Sequence, residues 1–267
     1  MTFIHPTAIV EEGAKIGENV TVGPFCIVGK QVELKDGVNL MAHVWVGGDT
    51  VIGENTEVGP FAVIGHKPQH KKCMNEPGKL VIGKNNVIRE HVTMHPGTPI
   101  DNNITIVGDG GLFMVGTHVA HDCIVGDNVI MANNATLGGH VKLGDWAIVG
   151  GLSAVHQFTR IGAHAMIGGL CAIMRDVVPY ALISGSVLEG INIIGLKRRG
   201  FSLDVINKLR HAVAEIFDGE GTMSERVDAV AAKYAGCEAV MEIVEFMKDD
   251  SKRRGYIHPA GKLSVVD

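Results

Sequence analysis

The sequence predicts an all-β repeat of short strands and tight corners, followed by an α-helical C-terminal region. Three observations carry that prediction. Aliphatic residues recur at every sixth position over most of the chain. Glycine is abundant, 35 of 267 residues, while aromatics make up only 5%, too much glycine for a helical bundle and too many aliphatics for a disordered chain. Beyond about residue 185 the six-residue spacing gives way to the 3, 4, 7 spacing of amphipathic helices.

The repeat runs from Ile4 through Val10, Ile16 and Val22 to Ile64 without a slip, and again from Val107 through Phe113, Val119 and Val125 to Ile173. Two residues before each aliphatic stands a small or β-branched one (Ala8, Val20, Cys26, Cys123, Ala135, Ser153, Cys171). Alternation along a strand sends both members of such a pair to one face, here the interior. Glycine often follows the aliphatic, as at Gly17, Gly23, Gly59 and Gly150, where a tight turn favours a residue without Cβ. Each hexad therefore reads as a short strand plus a corner. Two segments leave the pattern: 66–80, which keeps the length of one coil but puts His70 and Glu76 where aliphatics belong, and 95–105. Both are expected as excursion loops, and repeat proteins place insertions on one face, often the binding face. The expected division is a repeat domain over 1–185 and a helical domain over 186–267. In the latter, Ser202 caps a helix that turns Ile206, Leu209, Val213 and Ile216 inward. Thr222 and Glu225 form a capping box, and Val240, Ile243, Val244 and Met247 line a further helix. These helices are expected to pack on one end of the repeat and cover its strand edges.

Composition excludes several classes. No apolar stretch reaches the ~18 residues that span a bilayer, and the N-terminus lacks a basic start ahead of an apolar block, so a cytoplasmic location is expected. Five cysteines without CxxC spacing fit neither a disulfide framework nor a zinc module. Cys26, Cys123 and Cys171 fall at inward positions and read as inert core thiols. A formal charge of −5 gives no reason to expect nucleic-acid binding.

This pattern resembles the hexapeptide-repeat acyltransferases. The resemblance implies a left-handed parallel β-helix with three hexads per coil; general crossover rules alone favour the right hand. With 18 residues per coil, His121, Gly139 and Gln157 share one column, and Asp122, His140 and Phe158 the next. Polar residues outside the core of such a repeat ordinarily face water. Here His118, His121, Asp122, Asn134, His140, His156 and Gln157 fall within about two coils, each only ~4.8 Å thick, which favours a functional site. A zinc site of the γ-carbonic-anhydrase kind shares the helix but needs three imidazoles. No histidine pair here has the spacing of five that places two of its ligands on one chain, and His118 and His121 point to different faces of an extended strand. General-base chemistry asks less: one histidine, an acceptor to fix its tautomer, and a donor for an oxyanion.

The segments HVAHDC (118–123), NNATLGGHV (133–141), VHQF (155–158), IGAH (161–164) and GLKRRGF (195–201) are similar to the UDP-N-acetylglucosamine O-acyltransferases that begin lipid A synthesis, over nearly the whole chain. The resemblance implies transfer of an (R)-3-hydroxyacyl chain from acyl carrier protein to the sugar 3-position. His121 is then the base, Asp122 its orienting partner, and the Gly139 N–H the oxyanion donor. It places His118, His140, His156, Gln157, His70 and Lys72 around the substrate, Asn192 and Arg198 at the nucleotide, and Met166 and Gly169 along the acyl groove. The basic run Lys197, Arg198, Arg199 is ordinarily a solvated patch; against an acidic carrier protein it becomes a docking surface. The resemblance implies a homotrimer with sites between subunits, and no metal or cofactor beyond the phosphopantetheine on the donor.

Two positions depart from the family pattern. His70 stands where the family's Q-D-x-K loop carries an acid, and Ile194 replaces another acid near the nucleotide. An acceptor with a 3-amine is the alternative these departures raise, because a carboxylate would hold an amine as its unreactive ammonium. A zinc enzyme and a non-catalytic β-helix scaffold are the alternatives from other classes, distinguished by metal content and by thioester turnover.

Overall fold

The computed structural model describes residues 1–71, 78–249 and 254–263. Most strands are two residues long and recur every hexad, as in His118–Val119, Ile124–Val125 and Ile130–Met131. They stack into three sheets of 11, 9 and 8 strands among the described residues, pairing in parallel with partners such as His118 on Thr136 and Ile124 on Lys142. The result is a three-sided, left-handed parallel β-helix. Leu112–Phe113 belongs to the first sheet, His118–Val119 to the second and Ile124–Val125 to the third.

The interior is the column system that the hexads predict. Beyond the first coil, the second residue of the two-residue strands (Val22, Leu40, Ile64, Phe113, Leu137, Ile167) is buried, and so are small residues two positions earlier, including Cys26, Cys123 and Ala135. The thiols have no titrating role there; burial pushes Cys123 up to about 12.

The corners differ from expectation in one respect. The glycines after each aliphatic are required by the next coil. A Cβ on Gly23 would stand 2.8 Å from the Met41 carbonyl, and one on Gly150 would stand 2.4 Å from the Gly168 backbone. The left-handed residue comes two positions later and is seldom glycine: Asn19, Phe25, Asn55, Asp122, His140, Phe158 and His164 all have φ between 54° and 64°. Identical conformations stacked one coil apart bring their rings face to face, as in Phe25, His43, Phe61 and His91. Stacking of this kind helps offset the strain of a non-glycine residue in that region.

Both excursions leave the edge between the second and third sheets: one from Val63–Ile64 to Lys79–Ile82, the other from Thr93–Met94 to Ile104–Val107. Val63 pairs directly with Thr93, and Thr93 with His118. The first excursion is therefore inserted within a coil and does not replace one.

Sheet structure continues past residue 185. The last parallel strand of the first sheet, Ala181–Ser184, is covered by the antiparallel strand Val187–Ile191, so a hairpin masks that edge before any helix begins. Helices α1 (Ile193–Arg198), α2 (Leu203–Asp218), α3 (Met223–Lys233) and α4 (Glu238–Lys248) follow. Ser202 caps α2 through the Val205 N–H, and Thr222 and Glu225 form the capping box of α3. Helix α1, capped by Asn192, is too short for hydrophobic spacing to reveal. A buried ion pair ties α4 to the β-helix: Arg160 meets Asp176 at 2.8 Å and Asp249 at 3.0 Å, with its guanidinium over Phe246. No described helix is long and apolar enough to cross a membrane.

Candidate active site

The edge from which both excursions leave is also the edge of His121. The corner after His118–Val119 carries His121 and Asp122; one coil later the corner after Thr136–Leu137 carries Gly139 and His140. Asp122 sits at φ 60° and His140 at φ 63°, so both candidate groups occupy strained corner positions.

Asp122 is 3% exposed, and its carboxylate is saturated with donors. Oδ1 accepts from the Thr98 N–H at 2.9 Å, and Oδ2 from the Thr98 hydroxyl at 2.6 Å and from His121 Nδ1 at 2.8 Å. Burial works to raise this carboxyl, yet the hydrogen bonds from His121 and Thr98 overcome it and hold it below the ordinary carboxylate range. An ionised Asp122 fixes His121 with its proton on Nδ1 and its Nε2 lone pair directed away.

The His121 ring lies flat against Gly139, where a Cβ would come within 2.6 Å of its Cε1 and 2.9 Å of its Nε2. Glycine at 139 is thus a steric requirement of the imidazole. The Gly139 N–H has no acceptor in the described protein, because the adjacent ladder bonds run from Gly138 to Val155 and from His140 to His121. His140 stacks on Phe158 and meets His121 edge to face; its Nδ1 is 2.7 Å from Asp101 and its Nε2 3.9 Å from Asp122. His70 reaches the same place from the first excursion, its ring edge-on to His121 at 5.2 Å. His118 faces outward from its strand with Nδ1 on the Thr93 hydroxyl at 2.7 Å and its ring against His95. Burial, with His121 adding to it, lowers His118; burial, reinforced by His118, takes His95 down to about 4.

The structure brings together His70, His118, His121, Asp122, Gly139 and His140. His156 and Gln157 lie on the same edge one coil further on, where His156 Nδ1 meets the Gln157 carbonyl. Met166, Gly169 and Asn134 lie at the edge between the first and second sheets. Asn192 and Arg198 lie near the remaining edge, where the Asn192 amide caps α1 and donates to the His164 carbonyl. Lys197 and Arg198 are exposed. Arg199 is not a free surface charge: it is stacked on Trp146 and donates to its carbonyl at 2.9 Å. Lys72 lies outside the described residues. Thr98, Asp101 and His95 were not expected from the sequence. All three belong to the second excursion, and nothing in a loop's spacing reveals which side chain folds back onto a carboxylate.

His121, Asp122 and His140 each offer a ligand atom within 4.8 Å of the others. The Asp122 oxygens already accept three hydrogen bonds, so the set is organised for moving protons rather than for enclosing a cation. A base with a fixed tautomer beside an unfilled amide is the minimum for acyl transfer.

Comparison with known proteins agrees with this chemistry. The family model for domain 2 of UDP-N-acetylglucosamine O-acyltransferase matches residues 176–257, and that of the GMPPB C-terminal domain matches residues 1–106. The acyl-(acyl-carrier-protein)–UDP-N-acetylglucosamine O-acyltransferase of Caulobacter vibrioides is 53% identical over 94% of this chain and 96% of its own. That of Rhizobium johnstonii is 48% identical over 94% and 93%. The crystal structure of UDP-N-acetylglucosamine O-acyltransferase from Moraxella catarrhalis superposes with a TM-score of 0.92 at 38% identity, covering 96% of this chain and 99% of that one. With that identity spread over both the β-helix and the helices, the chain belongs to the acyl-(acyl-carrier-protein)–UDP-N-acetylglucosamine O-acyltransferase family.

Proposed function

We propose that the protein transfers an (R)-3-hydroxyacyl chain from acyl carrier protein to the 3-position of UDP-N-acetylglucosamine, the first step of lipid A biosynthesis. The observation that carries this reading is the pairing of His121, fixed by Asp122 at 2.8 Å, with the unfilled Gly139 N–H one coil above it. His121 Nε2 removes the proton of the sugar 3-hydroxyl as its oxygen attacks the thioester carbonyl. The Gly139 N–H receives the oxyanion. No covalent enzyme intermediate is needed, and Cys123, with its thiol pushed up to about 12, is no nucleophile.

His118, His140, His156 and Gln157 line the acceptor, with His70 and Lys72 from the first excursion. Asn192 and Arg198 serve the nucleotide, and Lys197 and Arg198 the acidic carrier protein. Met166 and Gly169 bound the acyl chain. These residues occupy three different edges of one β-helix, so a single chain does not assemble them. A homotrimer with sites between subunits does, since threefold packing of prisms sets unlike edges side by side. The donor's phosphopantetheine is the only prosthetic group involved, and the expected compartment is the cytoplasm.

The test is release of free thiol from 3-hydroxyacyl carrier protein. It should require UDP-N-acetylglucosamine and yield the 3-O-acyl sugar; absence of both thiol and acylated sugar would overturn the reading.

His70 against the His121 ring supports a second reading, a 3-amino acceptor. An imidazole can take a proton from an amine without holding it as an ammonium pair. Competition between the 3-hydroxyl and 3-amino UDP-sugars gives the ratio of kcat/KM directly, and a strong preference for the hydroxyl removes this reading.

A further inference from the structure

The site contains two carboxylate–imidazole pairs, and the transfer reaction as derived uses only one. His121 has one ring nitrogen on Asp122 and the other directed away from carboxylates. His140 is different. Its Nδ1 lies 2.7 Å from Asp101 and its Nε2 3.9 Å from Asp122, so both nitrogens face carboxylate oxygens. Asp101 holds Nδ1 at hydrogen-bond distance, which fixes the ring and leaves Nε2 directed toward Asp122 and the cleft, beside the His121 ring. The other charged groups around the cleft are Lys142 on the strand that follows His140 and Arg160 on the next coil. Arg160 is already neutralised by Asp176 and Asp249. The edge of the His140 ring thus faces acids from two elements, the second excursion and the preceding coil.

We propose that His140 is a second catalytic residue, the proton donor to the departing thiol, and that Asp101 is its positioning residue. The inference rests on the acyl-transfer reading above. The acceptor O–H gives its proton to His121 Nε2 while the oxygen bonds to the thioester carbon, and the oxyanion forms at the Gly139 N–H. Collapse re-forms the carbonyl and breaks the C–S bond. The electron pair leaves on sulfur, and the His140 Nε2 proton goes with it as the thiol. His121 is then protonated and His140 neutral, and one proton exchanged between the two edge-to-face rings or through solvent restores the starting state.

Division of labour between two imidazoles has a signature that a binding role lacks. A proton donor matters most when the leaving thiolate is basic and little when it is stable as the anion. The experiment compares 3-hydroxyacyl thioesters of pantetheine and of 4-nitrothiophenol as donors for wild type, His140→Ala and Asp101→Asn, with UDP-N-acetylglucosamine at saturation. His140→Ala should lose about 10²-fold in kcat with pantetheine and only a few-fold with nitrothiophenol. Asp101→Asn, a near-isosteric change on a half-exposed loop residue, should show the same asymmetry at a smaller size. Equal losses with both thiols in either variant would leave His140 as an acceptor contact only and overturn the proposal. Wild-type turnover in the same assay keeps this outcome separate from failure of the acyl-transfer reading itself.

Discussion

His140 and His164 occupy the same position of the repeat on two different edges of the prism. Both have left-handed backbone, φ 63° and 60°. Both stack on an aromatic ring one coil away, Phe158 and Tyr180 respectively. Their surroundings diverge. His140 faces Asp101 and Asp122 across an open cleft; His164 is packed among Trp146, Tyr180 and Phe201 beside Arg199. Burial, reinforced by the Arg199 charge, takes His164 down to about 4. The corner amides diverge in the same way. On the edge of His164, the N–H of Asp109 is accepted by the Asp127 carboxylate and that of Asp127 by Asp145, a short ladder of side chains that takes up two successive corner donors. On the edge of His121, the Gly139 donor is left open. The repeat supplies one corner geometry throughout, and chemistry appears where the excursions and the side chains of adjacent coils leave donors and imidazoles available.

The largest effect that would break this contrast is loss of the proposed base. His121→Ala should lower kcat by about 10²–10⁴-fold and leave the thermal midpoint nearly unchanged, since the ring lies outside the β-helix interior. Residual activity with a large fall in midpoint would make His121 a structural residue like His164. Next is the glycine against its ring. Gly139→Ala inserts a Cβ 2.6 Å from His121 Cε1 and must tilt the ring, so kcat should fall roughly 10- to 100-fold with the fold intact. Gly150→Ala, whose Cβ would meet backbone at 2.4 Å, should instead lower the midpoint.

Stability against pH sharpens the contrast from the other side. His95 and His164 are held neutral down to about 4, against about 6.5 in an unfolded chain. Between those values the unfolded state binds more protons. Stability is therefore fully present above about pH 6.5 and is lost as pH falls toward 4, by roughly 2–3 kcal/mol at most for each residue. His164→Phe should keep the stack, because Phe25, Phe61 and Phe158 already adopt the same backbone. It should flatten the loss of thermal midpoint between pH 6.5 and 4.5. An unchanged slope would assign the acid sensitivity to other groups.

Much of the fold was legible because a buried column constrains every sixth residue and leaves a periodic trace. The column of His121 and Gly139 followed from that period once 18 residues per coil were assumed. Other features left no such trace. The reason for glycine at the corners is a backbone one coil away, which no local turn rule reports. Thr98 and Asp101 act from an aperiodic loop. Asn192 was assigned to the nucleotide, but its cap on α1 belongs to a helix of a single turn and a half, below what hydrophobic spacing resolves. The switch from hexads to helices hid the strand Val187–Ile191, because an antiparallel hairpin needs no six-residue period.

The smallest expected effect lies at Gly169, on the edge between the first and second sheets, away from His121 in the same chain. Its φ is not left-handed, and a Cβ there would touch only the Gly151 backbone, with the carbonyl oxygen at 3.3 Å, so a side chain can be added with a backbone shift of a few tenths of an ångström. Exposed Leu152 and Leu170 flank it, an apolar strip suited to the end of an acyl chain. Gly169→Met should shift preference toward shorter donors, each excluded methylene removing about 0.8 kcal/mol or roughly a fourfold factor; competing donors of graded length reads that shift, and unchanged selectivity places the chain end elsewhere. The same variant also tests whether unlike edges meet across subunits. Co-assembled with His121→Ala chains, Gly169→Met chains contribute an intact His121 that can face an intact Gly169 on its neighbour. Long-chain transfer should therefore reappear in mixed oligomers although neither variant alone supports it. If mixing restores nothing, base and ruler belong to one chain, and the separation of the edges has to be bridged within it.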